Sequence, residues 1–146
     1  MSDAASWPFT HSDEVRFADL DVMGHLNNVA FMVQFESARV GYMRALVPSH
    51  DVADADGFGV MIAEVTIAYR APGFFGERVD TRVRPVWLGR TSLRLDFEMA
   101  VGERLIADGH GVMVLWDRGA ERPLPIPEVV RERLIEHGAR PRDQSA

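Results

Sequence analysis

Residues 18–46 read ADLDVMGHLNNVAFMVQFESARVGYMRAL. A polar run of Asp, Gly, His and Asn passes directly into a long apolar segment. From Asn28 onward no Gly or Pro interrupts the chain before Gly41, and Val29, Met32, Val33, Phe35, Val40 and Met43 spread around most of a helical circumference. A helix with so broad an apolar surface has to be enclosed by other elements. The spacing predicts one helix over 28–46. Asn27 or Asn28 serves as its N-cap, because an Asn side chain accepts a bond from an N–H of the first turn, and Pro48 helps to stop it.

The surroundings of that helix follow from a change of period. Residues 49–58, SHDVADADGF, are polar and acidic and read as a loop. Beyond them Ala63, Val65, Ile67 and Tyr69 alternate with Glu64, Thr66, Ala68 and Arg70 until Pro72-Gly73 ends the strand. Leu93, Leu95, Phe97, Met99 and Val101 alternate more cleanly with Ser92, Arg94, Asp96, Glu98 and Ala100, the mark of a sheet with one buried face. ERVDTRVRPVWLG at 77–89 and RLIADGHGVMVLWD at 104–117 supply two further strands, joined by tight turns at Leu88-Gly89 and Val101-Gly102. Upstream, a short strand is expected around Val15 and Phe17. PEVVRERLIEHG at 127–138 reads as a terminal helix, with Pro127 at its first position and Gly138 just past its end, and ARPRDQSA as a free tail. Strand, buried helix, four hairpin-linked strands and a last helix define an α+β fold with one long central helix wrapped by a bent antiparallel sheet. One domain over 1–146 is expected, ordered from about 10 to 138.

Composition narrows the chemistry. With 16 Lys+Arg against 22 Asp+Glu the net charge of -6 repels a polyanion, so nucleic acid is not an expected partner. Cysteine is absent, which removes disulfides, thiolate nucleophiles and thiolate metal sites, and leaves oxygen or nitrogen as the nucleophile. MSDAASWPF has neither the basic nor the apolar region of a leader, and no stretch reaches the roughly 18 apolar residues of a membrane span. A soluble, cytoplasmic protein with no membrane partner is expected.

The polar run admits four readings. As a calcium loop, Asp19, Asp21 and Gly24 would fill positions one, three and six, but Met23 and Ala30 stand where further oxygen ligands belong. A phosphatase-type D-x-D would need a hydroxyl a few residues on and a parallel sheet around it. As a plain connection, the acids and amides merely cap and solvate a strand-to-helix turn. The fourth reading notes that two carboxylates sit against the N-terminus of a buried helix, whose free N–H groups suit a developing oxyanion. A carboxylate beside such donors is the minimal equipment for acyl transfer. His11, His50, His110 and His137 show no ligand spacing, so no metal and no cofactor are expected.

FADLDVMGHLNNVAFMVQFESAR at 17–39, together with EVTIAYRAPGFFGERVDTRVRPVWLGRTSLRLDFEM at 64–99, resembles the hotdog-fold acyl-CoA thioesterases of the 4-hydroxybenzoyl-CoA thioesterase type; the likeness spans roughly residues 13–125. The resemblance implies the hotdog fold, a homodimer often assembled to a homotetramer, and a small-molecule acyl-CoA substrate. It implies Asp21 as the catalytic carboxylate, acting as general base or as nucleophile. The first N–H groups of the helix, around Asn28 and Val29, would hold the thioester oxygen, with Gly24 letting the backbone pass close to the acyl group. Phe31, Met32 and Phe35 would line the acyl pocket, and Arg90, Thr91 and Ser92 would meet the nucleotide. His25 is either an auxiliary polariser or a loop residue. A related plant acyl-carrier-protein family uses an Asn where this chain has Met23, so its full site is not reproduced. Asp19 is expected to support the loop, Glu36 and Arg39 to pair, and Glu64 to lie at an edge or near the acyl pocket. An acyl carrier protein as carrier, a hotdog dehydratase and a non-catalytic thioester-binding protein are the alternatives.

Overall fold

A computed structural model describes residues 7–47 and 58–142. Along the chain lie β1 (Phe9–Glu14), α1 (Asn28–Leu46), β2 (Phe58–Tyr69), β3 (Arg78–Leu88), β4 (Ser92–Val101), β5 (Arg104–Asp117), β6 (Arg122–Pro123), α2 (Glu128–Glu136) and β7 (Arg140–Pro141). The five long strands form one antiparallel sheet in the order β1-β3-β4-β5-β2. The two-residue strand β6 extends β5, and β7 runs parallel to β3. This is the expected hotdog architecture. The meander β3-β4-β5 arises where the alternation is cleanest, since hairpins demand only local turns at Gly89 and Gly102.

The helix lies against the inner face of the sheet. Ala30, Phe31, Gln34, Phe35, Ala38, Tyr42, Met43 and Leu46 are its buried positions, at the three- and four-residue spacing of a helix face. They meet Val79, Val83, Leu93, Leu95, Phe97, Met99, Met113 and Leu115 from alternate positions of three strands. Phe35 stacks on Phe97 with ring centroids 4.0 Å apart. The contact is possible because position 111 is glycine: a Cβ there would stand 3.0 Å from the Phe35 ring. At Gly109 a Cβ would come within 1.9 Å of the Thr66 carbonyl oxygen, so the β2–β5 ladder closes only over glycine.

Four expectations are corrected. The helix is not enclosed all round: Val29, Val33, Glu36 and Val40 form an exposed stripe, because a single sheet covers only one side of it. The first strand ends at Glu14, and Phe17 lies in a 3-10 turn, 80% exposed, where the Asp19 carboxylate accepts the Arg16 N–H and curls the chain. The alternation of β2 breaks at Ala63, which is skipped in its pairing with β5 and places Ile62 and Glu64 on opposite faces. The C-terminal segment is not wholly free, since Arg140 and Pro141 pair with Trp87 and Leu88. Pro48, His50 and most of the expected loop at 49–58, with 1–6 and 143–146, lie outside the described residues.

β2 is an edge strand of 12 residues. Met61, Ile62 and Tyr69 are 51%, 41% and 46% exposed on it. Among the described residues no helix is long and apolar enough to cross a membrane.

Candidate active site

The loop before α1 is built by its own polar groups. The Asp19 carboxylate accepts the Arg16 backbone N–H at 2.9 Å and the Arg16 guanidinium at 3.2 and 3.3 Å. Burial alone would raise the pKa of this carboxyl, but the Arg16 side-chain bond, backbone bond and charge together outweigh it and hold the group below its ordinary value. The Asp19 carbonyl in turn accepts both the backbone N–H and the side-chain amide of Asn27, each at 2.9 Å. Asp19 thus ties the strand exit to the helix entry, in the supporting role the sequence suggests.

Between them residues 20–26 close into a small loop through the Leu20–Leu26 bridge. Gly24 turns it at φ +80°, a left-handed conformation that suits glycine. The Asp21 Oδ1 accepts the Met23 N–H at 2.9 Å and the His25 N–H at 3.1 Å. Those bonds orient the carboxylate and leave Oδ2 without a protein partner among the described residues.

The helix start supplies the second component. Asn27 is the N-cap: its Oδ1 accepts the Ala30 N–H at 2.8 Å, and its carbonyl accepts the Phe31 N–H at 3.3 Å. The N–H groups of Asn28 and Val29 find no acceptor among the described residues. Asp21, Asn28, Val29, Ala30 and Val33 share the lining of one open depression of about 580 Å³. The oriented carboxylate and the two free N–H donors at a helix end with partial positive charge thus belong to residues that line the same depression.

Other expected residues lie elsewhere. The imidazole of His25 packs edge-on against Phe74, with centroids 5.4 Å apart, and does not line the depression. Phe31 is buried edge-on to Tyr69, and Phe35 is fully buried against Phe97; Met32 is half-buried. Arg90, Thr91 and Ser92 occupy the β3–β4 turn. Arg131 of α2 donates to the Gly89 carbonyl and Arg133 of α2 to the last carbonyls of α1, so this turn stands at the far end of a 19-residue helix, roughly 28 Å away by the helical rise. Glu64 sits 3.5 Å from His110 on the outer face of the sheet, and Glu36 pairs with Arg39 at 3.5 Å. Tyr69, whose hydroxyl donates to the Asn28 carbonyl at 3.5 Å, and Phe74 border the site without having been singled out. The aromatics flanking Pro72-Gly73 were their only sequence signal. No group of three potential metal ligands exists among the described residues.

The α+β hotdog framework belongs to a class that includes thioester hydrolases, and the sequence match assigns the chain to it. The family model described as the thioesterase-like superfamily matches residues 15–134, and the chain belongs to that family. It is also similar to a solved thioesterase from Thermus thermophilus, complexed with coenzyme A and Zn, at 35% identity and a TM-score of 0.78, covering 90% of this chain and 95% of that one. A predicted thioesterase from Bacillus stearothermophilus matches at 27% identity and TM-score 0.80, over 92% and 98% of the two chains. The gentisyl-coenzyme A thioesterase BH1999 matches at 25% identity and TM-score 0.77, over 86% and 98%.

Proposed function

We propose that this protein hydrolyses acyl-CoA thioesters, with Asp21 as base or nucleophile and the Asn28 and Val29 N–H groups as the oxyanion hole. The observation that carries this reading is the convergence of the Asp21 carboxylate and both free N–H groups on one depression. In the base route, water adds to the thioester carbonyl as its proton passes to Asp21. The carbonyl oxygen takes the negative charge beside the two N–H donors, the C–S bond breaks, and the coenzyme thiolate leaves and is protonated. In the nucleophile route Asp21 forms a mixed anhydride that water then opens. Each oxyanion donor contributes on the order of 3 kcal/mol to the transition state. The two coenzyme A enzymes among the similar structures support coenzyme A as carrier.

The open depression is half a site, and a second copy is its natural cover. β2 offers a full unpaired edge beside the exposed Val29 and Val33 stripe, and an edge of that length pairs readily with another chain. Tyr69 at the end of β2 lies at the helix start. The beginning of β2 lies level with the β3–β4 turn, because Gly59 pairs with Trp116, Met61 with Val114, and Val114 with Ser92. Antiparallel pairing of two β2 edges would therefore carry the Arg90–Ser92 turn of one chain to the Asp21 end of the other. In this reading Phe31 and Phe35 support the acyl pocket from beneath, and the homodimer is the catalytic unit, assembled further to a tetramer. Thiol release from a panel of acyl-CoA esters, compared with the Asp21→Asn variant, tests the reaction. Wild-type protein that releases no thiol from any of them sinks it.

A further inference from the structure

The far end of α1 borders a second cavity, of about 280 Å³, that shares no lining residue with the Asp21 depression. Tyr42, in its floor, stands about four helical turns past Asn28, roughly 21 Å along the axis. The floor is apolar and buried. Tyr42 and Leu46 are each 1% exposed, and the Phe9 ring tilts against Tyr42 with centroids 5.8 Å apart. Gly41 permits that approach, since a Cβ there would stand 3.0 Å from the Phe9 ring. Pro8 and Ala45 continue the wall. The rim is polar: Arg133 and Glu136 from the last turn of α2, and His137, its C-cap.

The rim groups are only partly used. Arg133 donates through Nη1 alone, to the Ala45 carbonyl at 3.2 Å and the Leu46 carbonyl at 3.4 Å, and it meets no carboxylate among the described residues. Glu136 lies one turn further along α2, a spacing at which Arg and Glu commonly pair. It nevertheless forms no ion pair or hydrogen bond among the described residues, because Arg133 is turned to the end of α1. Tyr42 fixes the third group. Burial pushes its phenol well above the ordinary 10, so the hydroxyl keeps its proton and donates it to His137 Nδ1 at 2.7 Å. The neutral imidazole then carries its hydrogen on Nε2, a donor without a partner among the described residues.

A solvated surface carboxylate needs no partner. Glu136 differs in sharing one cavity with a part-used guanidinium, an N–H donor and an aromatic floor. Guanidinium and N–H donors call for an anion, whereas the open carboxylate beside them repels a plain anion and suits a cation. A ligand carrying both signs on neighbouring atoms satisfies all three. The size agrees: at about 30 Å³ per water the cavity holds roughly nine water-sized volumes, room for a molecule on the order of ten non-hydrogen atoms. We propose that this cavity binds a free α-amino acid with an apolar side chain. Its carboxylate meets Arg133 and the His137 Nε2–H, its ammonium meets Glu136, and its side chain rests on Phe9 and Ala45. The site is independent of the hydrolase reading, since none of its residues borders Asp21.

The experiment titrates the full-length protein with L-valine, L-leucine, L-methionine and L-phenylalanine by calorimetry, with the melting temperature followed in parallel. For the tightest binder, the matching acid without its amine and the matching amine without its carboxylate separate the two charges; for leucine these are 4-methylpentanoate and 3-methylbutylamine. At least one amino acid should bind saturably, one molecule per chain, and raise the melting temperature. Each truncated probe should bind about tenfold more weakly or worse, since each lacks a charge-assisted bond. Glu136→Gln should weaken the amino acid by about tenfold and leave the acid without its amine unweakened. Ala45→Phe, which fills the exposed wall of the cavity, should abolish binding while the melting temperature of the free protein changes little. No saturable binding by any of the four amino acids overturns the proposal. An acid that binds as tightly without its amine as with it also overturns it, because that marks a plain anion site. Binding that survives Ala45→Phe in a folded protein places the ligand elsewhere and overturns it as well.

Discussion

The Asp21 carboxylate accepts the backbone N–H of His25 at 3.1 Å while the His25 imidazole packs edge-on to Phe74. The two residues most suggestive of an acid–base pair in the sequence thus meet through main chain. A side-chain relay between them is not built. In the proposed mechanism Asp21 works without the imidazole, and His25 stiffens the loop that aims it.

Asp21→Asn keeps an oxygen able to accept the Met23 and His25 N–H groups, so the loop should hold its shape. Thiol release from acyl-CoA should fall by about 10²-fold or more, the range for loss of a general base, with melting temperature little changed. His25→Ala should lower turnover by less than tenfold. A His25 variant as inactive as the Asp21 variant would restore the imidazole to the chemistry.

Base and nucleophile routes differ in where solvent oxygen goes. A single turnover in H₂¹⁸O followed by mass spectrometry of the Asp21 peptide separates them. The base route leaves the peptide unlabelled, whereas anhydride formation followed by attack on the Asp21 carbonyl would label it.

Removing the cap tests how far the oxyanion site depends on it. Asn27→Ala deletes the bond to the Ala30 N–H and the bond to the Asp19 carbonyl. Stability should drop by about 1 kcal/mol in urea denaturation, the usual worth of an N-cap, and turnover should fall as well, because the helix end and the loop lose a shared anchor. A fall in stability with unchanged turnover would show that the helix end keeps its place unaided.

The Asp19–Arg16 bond carries a pH signature. The folded-state pKa of Asp19 lies below its ordinary value of 3.8, so its contribution to stability is present above that value and is lost as pH falls through the folded pKa. Asp19→Asn should therefore be less stable than wild type at pH 7, and the gap should narrow as pH falls below 3.8 toward the folded-state pKa. Urea midpoints at pH 7 and pH 3 measure this. A gap as wide at pH 3 as at pH 7 would assign the Asp19 effect to packing.

Gly109→Ala places a Cβ within 1.9 Å of the Thr66 carbonyl oxygen, a backbone clash that no rotamer relieves. The cost should reach or exceed the about 1–3 kcal/mol of ordinary overpacking, and β2 should detach first. Ile62→Lys, on the exposed edge strand, should instead leave the fold intact and shift the sedimentation coefficient toward monomer while abolishing turnover. A monomeric yet fully active Ile62 variant would end the shared-site reading.

Much of this molecule was legible in its residues. Asn28–Leu46 carries a helix with the predicted ends, the alternating segments became β2 to β5, and Gly138 follows α2 as expected. These elements are decided by local periodicity and capping, which a linear sequence displays. The family resemblance and the candidate carboxylate, Asp21, were visible for the same reason: the loop and the helix start are contiguous. What the residues alone could not display depends on contacts between distant segments. That Phe31 lies against Tyr69 and Phe35 against Phe97 is one such contact. The packing of the His25 ring against Phe74, almost fifty positions on, is another. Arg140 and Arg142 look like a loose tail until β3 pairs with them. The exposed stripe of α1 exists because the sheet covers only one side of a helix apolar on most of its circumference. Sequence thus determined which elements form and where the carboxylate stands; the tertiary structure decided which faces are spent in the core and which remain exposed.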